Sequence, residues 1–242
     1  MSEVSNRSVA RALTIVGLLA KAVQPLGLKE IADSLSIPRS SALSLLRALR
    51  DQDFVACDDQ GRYSIGLGCF EAGASYARSM TPARAAEDQL RQLTNTHRVT
   101  SHFAVLEGSE VVYIAKQDPP DLGVRLASSI GARLPAAGTA VGKAILAQGN
   151  ANSLSQPRDA ALRLELELTL SRGYAVDDGQ TASGILCVAA PVFSDRGCVG
   201  AIGVSYLPQI SHDLTVIAAS VVEVAALVSS RLGARSGARG VA

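Results

Sequence analysis

Arg39, Ser40, Ser41, Ser44 and Arg47 crowd into the segment RSSALSLLR. Guanidinium and short hydroxyl side chains at that spacing can meet phosphates and base edges in a DNA groove. Arg7 and Arg11, one helical turn apart, and Arg62 further on add candidate phosphate contacts. The C-terminal half offers a different set. Cys187 in GILCVAAPVF and His102 in TSHFAVL could make a Cys/His nucleophile pair, hence a cysteine-dependent hydrolase acting on a small molecule. The apolar strand around Cys187 favours an inert buried thiol, one that can still line a pocket, and no third orienting group announces itself. Asp177 and Asp178 follow Gly173-Tyr174 and read either as a solvated turn or as polar groups of a pocket. The run GTAVGK, Gly138 to Lys143, has three residues between its glycines and Ala144 after the lysine. A phosphate loop needs four and then Ser or Thr, so a nucleotide site is rejected. The glycines instead allow close approach to a ligand or sheet, and a helix start offers N–H groups to a carboxylate.

Elements must place these groups. Residues 28 to 67 read as two short helices around a turn at Ser36-Ile37, then a two-stranded hairpin, FVAC and RYSI, joined by Asp58, Asp59, Gln60 and Gly61. In the first helix Leu28, Ile31 and Leu35 point inward. Pro38 is expected in the first turn of the second, whose inward stripe is Ala42, Leu45, Leu46 and Leu49. That is a winged helix-turn-helix, with the arginines and serines on the outward side of its recognition helix. Ahead of it, Val9, Leu13, Val16 and Ala20 predict an amphipathic helix ending near Gln24-Pro25. After the wing, Gly66 and Gly68 open a small-residue helix, and Thr81-Pro82 starts another as N-cap and first residue. From Thr100 the period changes to two. TSHFAVL and EVVYIAKQ form a hairpin, GVRLAS a third strand, then helices come at Thr139 to Gln148 and through Leu162, Leu166 and Leu170, strands at Gly184 to Phe193 and Cys198 to Ser205, and a helix from Asp213 to Leu232. This is an α+β layout with an antiparallel sheet.

The chain of 242 residues, 48% hydrophobic and 19% charged, can fill two cores. A net charge of +1 keeps the basicity local rather than general: the first 68 residues carry eight Lys/Arg against seven Asp/Glu. DNA affinity should therefore draw on pairing of subunits. Four cysteines without a CxxC pair, and three scattered histidines, suggest neither metal site nor disulfide framework, so no cofactor is expected and a reducing cytoplasm fits. No signal peptide is read, and Leu214 to Val228, interrupted by Glu223, reads as too short for a membrane span.

In this order, SVARALTIVGLL, SIPRSSALSLLRAL, YSIGLG, IGARLPAAGTAVGKAILA and RGYAVDDGQTASGILCVAAPVF resemble the IclR family of bacterial transcriptional regulators from Ser8 to Gly233. The resemblance implies a winged helix-turn-helix over residues 5–67, a linker helix over 68–81 and a GAF-like effector domain over 82–235. It further implies a DNA-binding regulator rather than an enzyme, taken as a repressor, working as a homodimer or dimer of dimers on operator DNA. Family effector contacts fall on Ala140, Val141, Asp177, Cys187, Gly203 and Ser205, and the effector would be a small organic acid. Three departures matter: Ser41 and Ser44 stand where Thr and Arg are common, Gly179 and Gln180 replace acidic residues, and Gly203 replaces a serine. The last two imply a roomier, less polar pocket and an aromatic or branched acid.

Overall fold

The computed structural model describes residues 6–120, 128–149, 160–207 and 213–234. Its contacts divide the chain after Ser79 into two compact units.

In the first unit, the Asn6 side chain accepts hydrogen bonds from the N–H groups of Ser8 and Val9 and so starts helix α1 (Arg7–Lys21). The helix buries Ile15 and Leu19, while Val9 and Leu13 stay 53% and 65% exposed. This corrects the expected inward stripe. Apolar residues recur at helical spacing on both sides of α1, and periodicity alone does not tell which side the core takes. A two-residue strand, β1 (Leu26–Gly27), leads into α2 (Leu28–Leu35), whose Glu30 carboxylate reaches back to the Gly27 N–H at 2.6 Å. Ser36 turns left-handed at φ 53°, and the Ile37 N–H bonds to the Ala32 carbonyl, closing the helix. Pro38 then lies extended as the cap of α3 (Arg39–Asp51), just outside the first turn where the sequence placed it. Helix α3 buries Ala42 and Leu46, with Leu45 and Leu49 partly covered. Strands β2 (Val55–Cys57) and β3 (Arg62–Ile65) make the wing, and β1 pairs along the other edge of β3. Asp58 Oδ1 accepts from the N–H groups of Gln60 and Arg62, which holds the wing turn. Helix α4 (Leu67–Ser79) completes the unit.

The second unit begins with α5 (Thr81–His97), capped by Met80, with Thr81 already helical and Pro82 behind it, one place later than expected. A six-stranded antiparallel sheet follows: β4 (Thr100–Glu107), β5 (Glu110–Gln117), β6 (Arg133–Pro135), β7 (Ala175–Asp178), β8 (Leu186–Ser194) and β9 (Gly197–Tyr206), in the order β6-β5-β4-β9-β8-β7. A 3-10 turn (Ala136–Gly138) runs into α6 (Ala140–Leu146), shorter than the helix expected there; α7 (Ala160–Arg172) precedes β7, and α8 (Leu214–Arg231) closes the unit. Strands β6 and β7, of three and four residues, were not read from the sequence, being too short to show a period. The expected strand GVRLAS lies, all but its last residue, outside the described residues.

Alternation along the strands sorts the two faces. Val188, Ala190, Val192, Ile202 and Val204 pack with α5 and α8 into the larger core. Ala189 and Ala201, together with Ala104 and Val111, face α6, whose seven residues are all buried. Helix α8 has the length and apolar composition to cross a membrane, against the reading that it falls short. It serves here as a core helix, burying Ile217, Val221, Ala225 and Val228.

Candidate functional site

On α3, Arg39, Ser40, Ser44 and Arg47 are exposed and Ser41 is half-buried, while Ala42 and Leu46 hold the opposite side in the core. With the exposed Arg50 near its end, the helix thus offers three guanidinium groups and three hydroxyls from a fixed frame, the donor set a major groove takes. Arg7 and Arg11 are exposed on α1. Arg62 is differently placed. Its Nε and Nη2 donate to the Pro25 carbonyl at 2.8 and 2.6 Å, and Nη2 lies 3.6 Å from the Glu30 carboxylate. The guanidinium straps the wing to the segment before α2, leaving few donors for a phosphate.

In the second unit a cavity of about 30 Å³ lies between the sheet and α6. Registers bring its walls together. Asp177 pairs with Cys187 across β7 and β8, and Cys187 with Ser205 across β8 and β9; one row on, His102 pairs with Gly203. Five of the six residues expected to contact an effector, Ala140, Val141, Asp177, Cys187 and Ser205, line the cavity. Gly203 sits just behind. A Cβ there would come within 2.7 Å of His102 Nε2 and 2.9 Å of Val141 Cγ1. The missing side chain therefore adds no room, because the imidazole and the valine already occupy it, and the expected roomier pocket is corrected on that ground.

Of the two readings of Asp177, the solvated turn falls away: it is 1% exposed on a strand, where its carboxylate accepts from the N–H groups of Gln180 at 2.7 Å and Thr181 at 3.3 Å. The nearby Lys143, likewise buried, donates from Nζ to the Val176 carbonyl at 3.0 Å and to Gln180 Oε1 at 2.9 Å. Sequence reasoning passed over Lys143 once the phosphate loop was rejected, although a lone lysine in an otherwise apolar helix is itself the mark of a buried charge that needs partners. Thr139 was missed as well. Its hydroxyl accepts from the Gly142 N–H at 3.0 Å and so uses one of the free donors of this seven-residue helix, which weakens the expected carboxylate seat at its start.

Nucleophilic chemistry does not fit. The Cys187 thiol lies 3.1 Å from the Ser205 hydroxyl, and burial, opposed by that hydrogen bond, pushes its pKa up to about 11. Burial, and secondarily Lys116, lowers His102 to about 3, with Asp118 opposing. A thiol that stays protonated and bonds to Ser205, one row away from an imidazole itself too weakly basic to take its proton, makes a poor attacking pair. Among the described residues no group of three His, Cys, Asp or Glu could hold a metal ion, and all four cysteines are free thiols.

The IclR helix-turn-helix domain description matches residues 8–59, and that of the bacterial transcriptional regulator IclR C-terminal region matches residues 74–229. The glycerol operon regulatory protein of Streptomyces coelicolor is 31% identical over 214 residues, covering 82% of this chain and 84% of that protein. The HTH-type transcriptional repressor AllR of Klebsiella pneumoniae is 28% identical, covering 80% and 76%. The crystal structure of an IclR transcriptional regulator from Alicyclobacillus acidocaldarius superposes with a TM-score of 0.80 at 29% identity, covering 94% of this chain and 99% of that one.

Proposed function

This chain belongs to the IclR family of bacterial transcriptional regulators, and from that premise we propose that it is a cytoplasmic repressor whose hold on operator DNA is controlled by a compact organic acid bound beneath α6. The DNA-binding regulator is the family's common ground; the control, its sign and the ligand are this reading. One observation carries it: a small cavity beneath α6 whose largely apolar wall brings together Asp177, Cys187 and Ser205 from three adjoining strands. Buried polar groups around a void need a partner or a reason. About 30 Å³ is room for a couple of water molecules. An acid of about two to four carbons suits such a site better than an aromatic or branched one. Repression follows the naming of AllR, a relative.

On the DNA side, Arg39, Ser40, Ser41, Ser44 and Arg47 would reach base edges and phosphates, with Arg7 and Arg11 on phosphates and Arg62 adding only its field. Two copies would set two such helices into successive major grooves, and ligand binding would shift the balance between DNA-competent and incompetent arrangements by its differential affinity for them.

The test is a gel-shift titration on DNA fragments selected from a random pool by the wild-type protein. Arg39→Ala and Arg47→Ala should each weaken binding by about 1–3 kcal/mol where the side chain meets a base, less for a phosphate, with unchanged circular dichroism. Unaltered affinity in both would remove α3 from the interface. Adding small carboxylic acids to the same titration should release the wild-type protein; release by none of them would end the proposed acid control.

A further inference from the structure

The wing turn uses its hydrogen-bond donors internally. Between β2 and β3, Asp58 Oδ1 accepts from the N–H groups of Gln60 at 3.0 Å and Arg62 at 2.8 Å, and the Asp58 carbonyl accepts from that of Gly61 at 3.0 Å. A phosphate contact needs such donors, from backbone N–H groups, polar side chains or a cation. The cation is engaged too. Arg62 donates from Nε and Nη2 to the Pro25 carbonyl, and Nη2 stands 3.6 Å from Glu30 Oε2. The turn itself, Asp58 to Gly61, holds two carboxylates and no lysine or arginine. Asp58, Asp59 and the Gln60 amide are exposed at its tip.

The wing is held close to the recognition helix. The Asp53 N–H bonds to the Arg50 carbonyl at 3.0 Å and the Phe54 N–H to the Leu49 carbonyl at 2.9 Å, so β2 leaves α3 without slack. Val55 and Tyr63 of the wing pack with Leu46 of α3 in one core. Burial, with Cys57 beside it, raises the Tyr63 phenol above its ordinary range, and Arg50 and Arg47 oppose the rise. Both guanidinium groups are therefore within electrostatic reach of the strand that bears Arg62. Resting on the operator-binding reading above, we infer that the wing stands beside the DNA as a repelling face: its tip takes no phosphate, its carboxylates oppose the backbone, and the charge that holds the operator comes from α3 and α1. A duplex carries one negative charge about every 1.7 Å, and screening at physiological salt acts over about 8 Å, so carboxylates flanking the recognition helix are felt. Each phosphate paired with a cation adds about 0.9 to the slope of log affinity against log salt. Arg39, Arg47 and Arg50, with Arg7 and Arg11, set that slope, and the wing adds nothing to it.

Gel-shift titrations of the full-length protein at a series of salt concentrations test this, on a fragment it has selected from a random pool and on an unrelated one. Arg62→Ala should lower the melting temperature, because the strap to Pro25 is lost, and leave the salt slope as in the wild type. Asp59→Lys, at the exposed tip, should bind both fragments at least about threefold more tightly at low salt and steepen the slope by about 1, with the melting temperature unchanged. Gln60→Ala should alter neither affinity nor slope. A slope that flattens by about 1 in Arg62→Ala, or affinity lost in Gln60→Ala, would overturn the inference by making the wing a phosphate contact. Wild-type affinity and slope in Asp59→Lys would overturn it by placing the tip clear of the backbone, with the operator reading left standing. A wild type that selects no DNA from the pool overturns the operator reading and this inference with it.

Discussion

His102 is 2% exposed, and its proton affinity follows. In the folded chain its pKa is lowered to about 3 from 6.5 by burial, with the Lys116 charge adding to the effect and Asp118 opposing it. Between those values the unfolded chain binds a proton that the folded chain refuses. Stability from this residue is therefore fully present above about pH 6.5 and is lost as pH falls towards 3, at most at about 1.4 kcal/mol per pH unit. The stability advantage of wild type over His102→Gln, from urea unfolding, should shrink steadily between about pH 7 and about pH 4.5. An advantage independent of pH would mean that solvent reaches the imidazole. Cys187 tells the same story with the opposite sign of charge: its thiol stays neutral, so at this wall of the cavity it offers shape and a weak hydrogen bond rather than reactivity.

Helix α6 is the element on which the cavity depends. Its seven residues are buried throughout, and it can lie that deep because the strands beneath it carry Ala189, Ala201 and Gly203 on that face. The closest approach is at its own start: a Cβ on Gly142 would stand 2.0 Å from the Ala136 carbonyl oxygen, a backbone atom with nowhere to go. Gly142→Ala should therefore lower the unfolding free energy by about 3 kcal/mol or more, the upper end of what overpacking costs. Urea unfolding with wild-type midpoint and slope would show that the 3-10 turn yields freely, and that the cavity roof is softer than this packing implies.

For the molecule as a whole, the arginines of one α3 make a modest positive patch on a chain of net charge +1, so two copies acting together are the economical route to operator affinity. An apolar surface for that pairing is present in the first unit. Val9 and Leu13, four residues apart on α1, are 53% and 65% exposed, and single apolar residues on a surface mean little where an aligned pair on a helix invites a like face from another copy. Leu13→Glu should separate the proposed pair into single copies in sedimentation velocity and weaken operator binding at least about tenfold, through lost avidity, without lowering the melting temperature. An unchanged sedimentation coefficient would place the subunit contact elsewhere.

Local chemistry made much of this legible in the amino-acid order. Ser36-Ile37 ahead of Pro38, and Asp58 to Gly61 between alternating strands, are turn signals with few alternatives, and they delimit α2, α3 and the wing within a residue. The period-two runs of TSHFAVL and EVVYIAKQ were equally plain, since a half-buried strand must alternate. What spacing along the chain could not resolve were choices made by distant neighbours. The buried side of α1 was settled by α2, α3 and the wing closing over Ile15 and Leu19 rather than Val9 and Leu13. Strand β7 exists because β8 offers it an edge, which decides between the two readings the sequence left open for Asp177 and buries it. Gly203 looked like added space until β4, lying alongside β9, brought the His102 ring into it, a packing relation between positions about a hundred residues apart that no local period encodes.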